Sequence, residues 1–194
     1  MSSGTVATIT GYKVGTWEVD PIHTEVGFSV RHMMVSNVRG RFLKFGAAIV
    51  IAENPVDSMV TATIDMASVD TGNEQRDNDL RSAGFFDVAT YPTMTFRSSG
   101  IRPISDEDEK FLLDGDLTIR GITQSVTLEV QIGGFGPDPF GGTRVGFSAT
   151  GEIKRSDFGM TGNMLIEGGG VVIADKVRIN LEIEAVLKTE TSSS

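Results

Sequence analysis

Residues 177–187, VRINLEIEAVL, alternate without a break. Val177, Ile179, Leu181, Ile183, Ala185 and Leu187 are interleaved with Arg178, Asn180, Glu182 and Glu184. A period of two puts every apolar group on one face of an extended strand and the polar groups on the other. A helix would scatter the same apolar groups around its circumference, because its faces repeat every 3.6 residues. The alternation recurs along the chain. Val26, Phe28 and Val30 share a face in EVGFSV, as do Val60, Ala62, Ile64 and Met66 in VTATIDM and Val126, Leu128, Val130 and Ile132 in VTLEVQI. TWEVD around Trp17, VRGRFLKFGAAIVI, TMTFR, FLLDGDLTI and TRVGFSATGEI read as further strands, roughly eight to ten in all.

The links between these segments are short and rich in turn formers, which favours antiparallel neighbours over long parallel crossovers. GGFGPDPFGG reads as a surface turn, DEDEK at 106–110 as a solvated loop and LDGDL as a bend at Gly115. A sheet with one apolar face must cover it, either by packing on a second sheet or by closing on itself. Closure also removes exposed strand edges. Alternation alone leaves a sandwich open beside a barrel.

One stretch breaks the pattern: NEQRDNDLRSAGFFDVATYP, from Asn73 to Pro92. Asp70, Thr71 or Asn73 caps a short helix near residues 75–83, and Gly84 ends it. Leu80 then faces the sheet and Phe85-Phe86 follow as an apolar plug. Arg76 and Arg81 are expected to pair with Asp77 and Asp79. A calcium loop does not fit, because counting from Asp70 puts Gly72 third, Gln75 sixth and Arg81 twelfth, where oxygen ligands, glycine and glutamate belong.

At 194 residues the chain is expected to be one domain at 15–188, with a flexible segment at 1–14 and a flexible tail at 189–194. It has no cysteine, which excludes thiol catalysis, disulfides and thiolate metal sites. The net charge of −9 argues against nucleic acid as a partner and against broad contact with anionic lipid surfaces. A small anionic headgroup held by a local arginine or histidine stays compatible with that charge. There is no transmembrane run and no visible signal segment, so the sequence reads as cytoplasmic. No GxSxG elbow, P-loop or GxGxxG fingerprint occurs, and DFG in KRSDFGM lacks the rest of a kinase constellation.

Two histidines are too few to define a zinc site, so no metal is expected. His23 in DPIHTEV reads as a local hydrogen-bonding group near a strand start. His32 precedes Met33-Met34, which sets a polar group beside adaptable apolar side chains. Eleven Phe and eight Met stand against one Trp and two Tyr. These residues fill a core or, collectively, line an elongated apolar cavity. The cavity candidates are Phe28, Met33, Phe42, Met66, Phe85, Phe86, Phe96, Phe147, Phe158 and Met160, with His32, Arg76, Asp79 and Arg155 at a polar head or entrance.

Three ordered motifs, TWEVDPIHTEVGFSVRHMMVSNVRGRF, VDTGNEQRDNDLRSAGFFDVATYPTMTFRS and LDGDLTIRGITQSVTLEV, followed by IKRSDFGM, resemble the YceI-like family of polyisoprenoid-binding, lipocalin-like proteins. The likeness runs from about Thr16 to Leu187. It implies an all-β fold: an extended antiparallel barrel of about eight strands, lipocalin-like, holding a long isoprenoid chain. Family members commonly carry histidine where this chain has Asp79, which bears on the type of headgroup.

The expected function is reversible binding, storage or transport of an isoprenoid quinone or polyprenyl lipid, with no catalysis and no required cofactor. One alternative is a hydrolase or isomerase that uses His32 in the same cavity. Another is a nonenzymatic interaction or stress-response barrel with a filled core. A homodimer is compatible with the sequence.

Overall fold

The computed structural model describes residues 9–32, 35–105, 109–162 and 173–189. The described residues form eleven strand segments, one α-helix and three short 3-10 turns. In order the strands are β1 (Gly15–Val19), β2 (Glu25–His32), β3 (Ser36–Phe42), β4 (Phe45–Ile51), β5 (Met59–Asp65) and β6 (Val69–Asp70). The helix α1 (Glu74–Arg81) follows, and then β7 (Thr93–Ser105), β8 (Lys110–Ile119), β9 (Ile122–Pro137), β10 (Thr143–Lys154) and β11 (Ile173–Leu187).

All pairings are antiparallel, and β11 closes the sheet on β1 through Trp17 opposite Leu187 and Val19 opposite Ala185. The eleven segments make eight staves. β1 and β2 both pair with β11, β4 pairs with β1 while β3 pairs with β2, and β5 and β6 continue the next stave. Each of these three staves is interrupted by a few residues, where the chain bends to follow the curvature. The result is an up-and-down meander, an eight-stranded antiparallel barrel with a short helix, as the resemblance implied. Sheet closure removes the sandwich alternative.

Alternation is realised as expected. The inward face of every full stave carries the apolar set, and the outward face carries the charges. Two glycines give the inward aromatic rings their room. Gly40 lies opposite Phe28 across β2–β3, and a Cβ on it would stand 2.4 Å from the Phe28 ring. Gly115 does the same for Phe96, also at 2.4 Å. LDGDL is therefore not a bend. It continues as strand β8, and its glycine is needed where an aromatic ring crosses the neighbouring backbone.

The connection between the third and fourth staves carries α1. Asn73 is the N-cap, its side chain accepting from the Arg76 amide at 3.0 Å. The helix stops at Arg81, two residues short of the expectation, because Ser82 adopts extended angles and its amide returns to the Asp79 carbonyl. The expected ion pairs do not form among the described residues. Arg76 donates to the Thr71 hydroxyl and carbonyl, and Arg81 to the carbonyls of Ala67 and Val69 and to Asn78. Asp77, 7% exposed, accepts from the Thr71 amide at 2.9 Å and the Thr71 hydroxyl at 2.5 Å. Thr71 intervenes because the chain preceding the helix folds back over its first turn, which brings backbone donors and acceptors nearer than the opposite charges.

Candidate functional site

Inward alternation from eight staves converges on one cavity of about 300 Å³ that extends along the barrel. At one end its wall is Ile9, Tyr12, Ile51, Ser58 and Phe135; at the other it is Leu80, Phe85, Phe86, Arg155 and Met160. Tyr12, Thr24, Ser58 and Arg155 are the polar side chains in a lining that is otherwise aliphatic, aromatic or glycine. The volume sits at the lower edge of the range of small-molecule pockets. An apolar space of this kind stays free of charge unless a group is fixed by hydrogen bonds.

The polar lining groups are largely engaged with the protein itself. The Tyr12 hydroxyl donates to the Ala52 carbonyl. Burial pushes the Tyr12 phenol above its ordinary pKa, opposed by a hydrogen bond with Ser58. Ser58 Oγ also accepts from the Ala52 amide at 3.0 Å. Thr24 bonds with the Glu184 backbone. Arg155, 7% exposed, donates to the carbonyls of Met160, Gly162, Ile173 and Ala174 at 2.7–3.2 Å. One guanidinium thus ties the 3-10 turn Arg155–Phe158 and its exit to the start of β11.

Of the apolar residues singled out in the sequence, Phe28, Phe42, Met66, Phe85, Phe86, Phe96, Phe147 and Met160 line the cavity. Phe158 is instead 1% exposed and packs in the same core cluster as Phe42, Met66, Phe86 and Met160 without lining the cavity, and Met33 lies outside the described residues. Of the polar four, Arg155 lines the cavity. His32 ends β2 opposite Ser36 and Ile173, and Arg76 and Asp79, both half-buried on α1, are not part of the lining. Sequence reading passed over Tyr12, Thr24 and Ser58, whose only signal is polarity at positions that contact wall residues far away in the chain.

A second polar group lies outside the barrel, where the first stave is interrupted. His23 Nδ1 is 2.8 Å from Asp20 Oδ2 and 3.4 Å from Glu184 Oε2. The Arg144 guanidinium reaches Asp20 at 2.8 Å and Asp138 at 3.0 Å. Hydrogen bonds from Arg144 and then His23 hold the Asp20 carboxyl well below the usual carboxylate range, and the Asp20 bond raises His23. Asp20, His23 and Glu184 could in principle converge on a cation. Arg144, 2.8 Å from Asp20 and 3.7 Å from Glu184, already supplies that positive charge. His23 is thus the local hydrogen-bonding group expected from the sequence. Asp114 is likewise committed on the outer surface: Arg102 and then Thr127 hold its pKa at about 2, which denies it a role as a proton donor.

The YceI-like domain family matches residues 17–185. Protein YceI of Escherichia coli O157:H7 is 42% identical over 137 residues, 70% of each chain. The crystal structure of Campylobacter jejuni YceI superposes with a TM-score of 0.69 at 31% identity, over 97% of this chain and all of that one. The fold is also that of Burkholderia cenocepacia BcnA, with a TM-score of 0.73 at 28% identity over 86% and 98% of the two chains. A polyisoprenoid-binding domain from Saccharophagus degradans shares it at 0.63 and 18% identity, over 91% and 100%.

Proposed function

The chain belongs to the YceI-like family, and from that premise we propose that its cavity reversibly carries one long isoprenoid chain, as part of a quinone or polyprenyl lipid. The observation that supports this reading most is the elongated apolar cavity itself: a filled core would leave no such space. An isoprenoid tail matches a lining of aliphatic and aromatic groups. Each methylene taken from water contributes about 0.8 kcal/mol before ordering costs. With its polar lining groups bonded to backbone, the wall offers no strong anchor, which suits a cargo that must leave again.

The protein acts as a binder rather than an enzyme. Catalysis by His32 has no support in the geometry, since that residue is not in the cavity wall. Native mass spectrometry of gently purified protein, followed by organic extraction, tests the reading. The expected result is one bound hydrophobic molecule per chain containing prenyl units. Absence of any such molecule, together with no uptake of prenyl lipids by delipidated protein, overturns it.

A further inference from the structure

The outer surface of the barrel is not uniform in charge. On β10, β11, β2 and β3, the half nearest α1 presents Lys154, Lys176, Arg178, Arg31, Arg39 and Arg41. Strand register makes them one face. Arg178 and Arg39 both flank Ser29, and Arg31 and Arg39 are diagonal neighbours, with Ser29 opposite Arg39 and Arg31 opposite Asn37. Four carboxylates lie nearby: Glu152, opposite Arg178 and 3.6 Å from Lys176, Asp70 with Arg41 at 3.5 Å, Asp175 bonded to Ser156, and Asp157 beside Lys154 and Lys176. Arg31, Arg39 and Arg178 are exposed and have no ion pair among the described residues. Beyond the end of β2, Val35 stands 84% exposed at the same end of the barrel.

The far half of the same staves is the reverse, carrying Glu18, Asp20, Glu25, Glu182 and Glu184 against Arg144 and His23. On these staves the charge therefore runs from a basic half near α1 to an acidic half, although α1 and the adjoining turns also carry Glu74, Asp79, Asp87 and Asp157. Near a negatively charged plane, such a molecule is turned so that the basic end approaches, and the acidic end, more than a Debye length away, is screened.

We propose that the Arg31–Arg39–Arg178 face, with Val35 at its edge, docks the barrel on an anionic lipid bilayer, α1 end first. Arginines beside an exposed aliphatic side chain match a headgroup layer over acyl chains. Nucleic acid would be expected to meet an aromatic platform as well, and none is exposed on this face among the described residues. The choice of a bilayer rests on the lipid-carrying reading, since such a cargo is drawn from or delivered to a membrane.

Flotation of the full chain with phosphatidylcholine vesicles, with and without phosphatidylglycerol, tests the proposal. The protein should float with the anionic vesicles only, and about 0.5 M salt should release it. The triple variant Arg31→Gln/Arg39→Gln/Arg178→Gln should bind them roughly 100-fold more weakly. Its uptake of a prenyl chain from detergent micelles should equal that of the wild type, because none of the three side chains lines the cavity. Equal flotation with both vesicle types, no flotation with either, or a triple variant that floats like the wild type overturns docking. So does a variant that loses only oligonucleotide binding. Uptake without flotation removes docking alone; flotation without uptake removes the cargo reading and leaves docking standing.

Discussion

At one end of the barrel Trp17 lies beneath continuous pairing, opposite both Leu187 and Ile49, with the Phe135 ring edge-on at 5.6 Å. At the other end no strand among the described residues completes the wall. Leu80, Phe85, Phe86 and Met160 are brought over it by a helix and a 3-10 turn, and Thr71 and Arg155 hold those pieces in place. The first end is closed chiefly by apolar contact along paired strands, with Tyr12 and Ser58 tied to Ala52 beside it, and the second by side chains whose position depends on a few polar bonds. The buried core around Trp17 dominates the first. The second can be loosened by deleting one donor, without touching the staves.

The largest expected effect is at the Trp17 end. Trp17→Ala should destabilise the protein by about 3–5 kcal/mol in denaturant unfolding, since the indole is wholly buried and the neighbouring strands cannot collapse into its space. At the α1 end, Arg155→Met keeps the length of the side chain but leaves the carbonyls of Met160, Gly162, Ile173 and Ala174 without that donor. A loss of about 3 kcal/mol is expected, with hydrogen exchange accelerated around residues 155–162 and unchanged in β1. Equal acceleration at both ends would erase the contrast between them. Asn73→Ala should cost about 1 kcal/mol, through the lost N-cap alone.

The smallest effect concerns pH. His23 is raised by Asp20 first and by Glu184 next, so the protonated imidazole is bound more tightly in the folded state. That contribution is complete below the unfolded pKa of about 6.5 and fades as pH rises through the raised folded value. Thermal unfolding should therefore show a small loss of stability between about pH 5.5 and pH 8 that His23→Gln abolishes. Asp20 acts with the opposite sign and at far lower pH: its stabilisation is present above the ordinary carboxylate pKa and lost on strong acidification.

Strand faces were legible in the sequence because alternation is a local property. Val60, Ala62, Ile64 and Met66 point inward as their spacing dictates. The cavity was less so, since a residue that lines an empty space and one that fills a core share the same parity. Phe158 and Phe147 look alike in sequence, yet the first is buried outside the cavity and the second lines it. Polar closure was the least visible. Arg155 reaches the carbonyls of both Gly162 and Ala174, and Asp20 meets Arg144 across 124 residues of chain, which no local pattern encodes. The ion pairs anticipated around Arg76 and Arg81 failed for the same reason: backbone brought in by the preceding turn outcompeted the nearest opposite charges.

The central claim is that the barrel holds its cargo by the tail. Titrating delipidated protein with prenyl alcohols of increasing length tests it directly. Affinity should rise by about tenfold or more for each added five-carbon unit until the cavity is filled, and then level off. Affinity that is independent of chain length, or binding of the shortest member as tight as that of the longest, would contradict it.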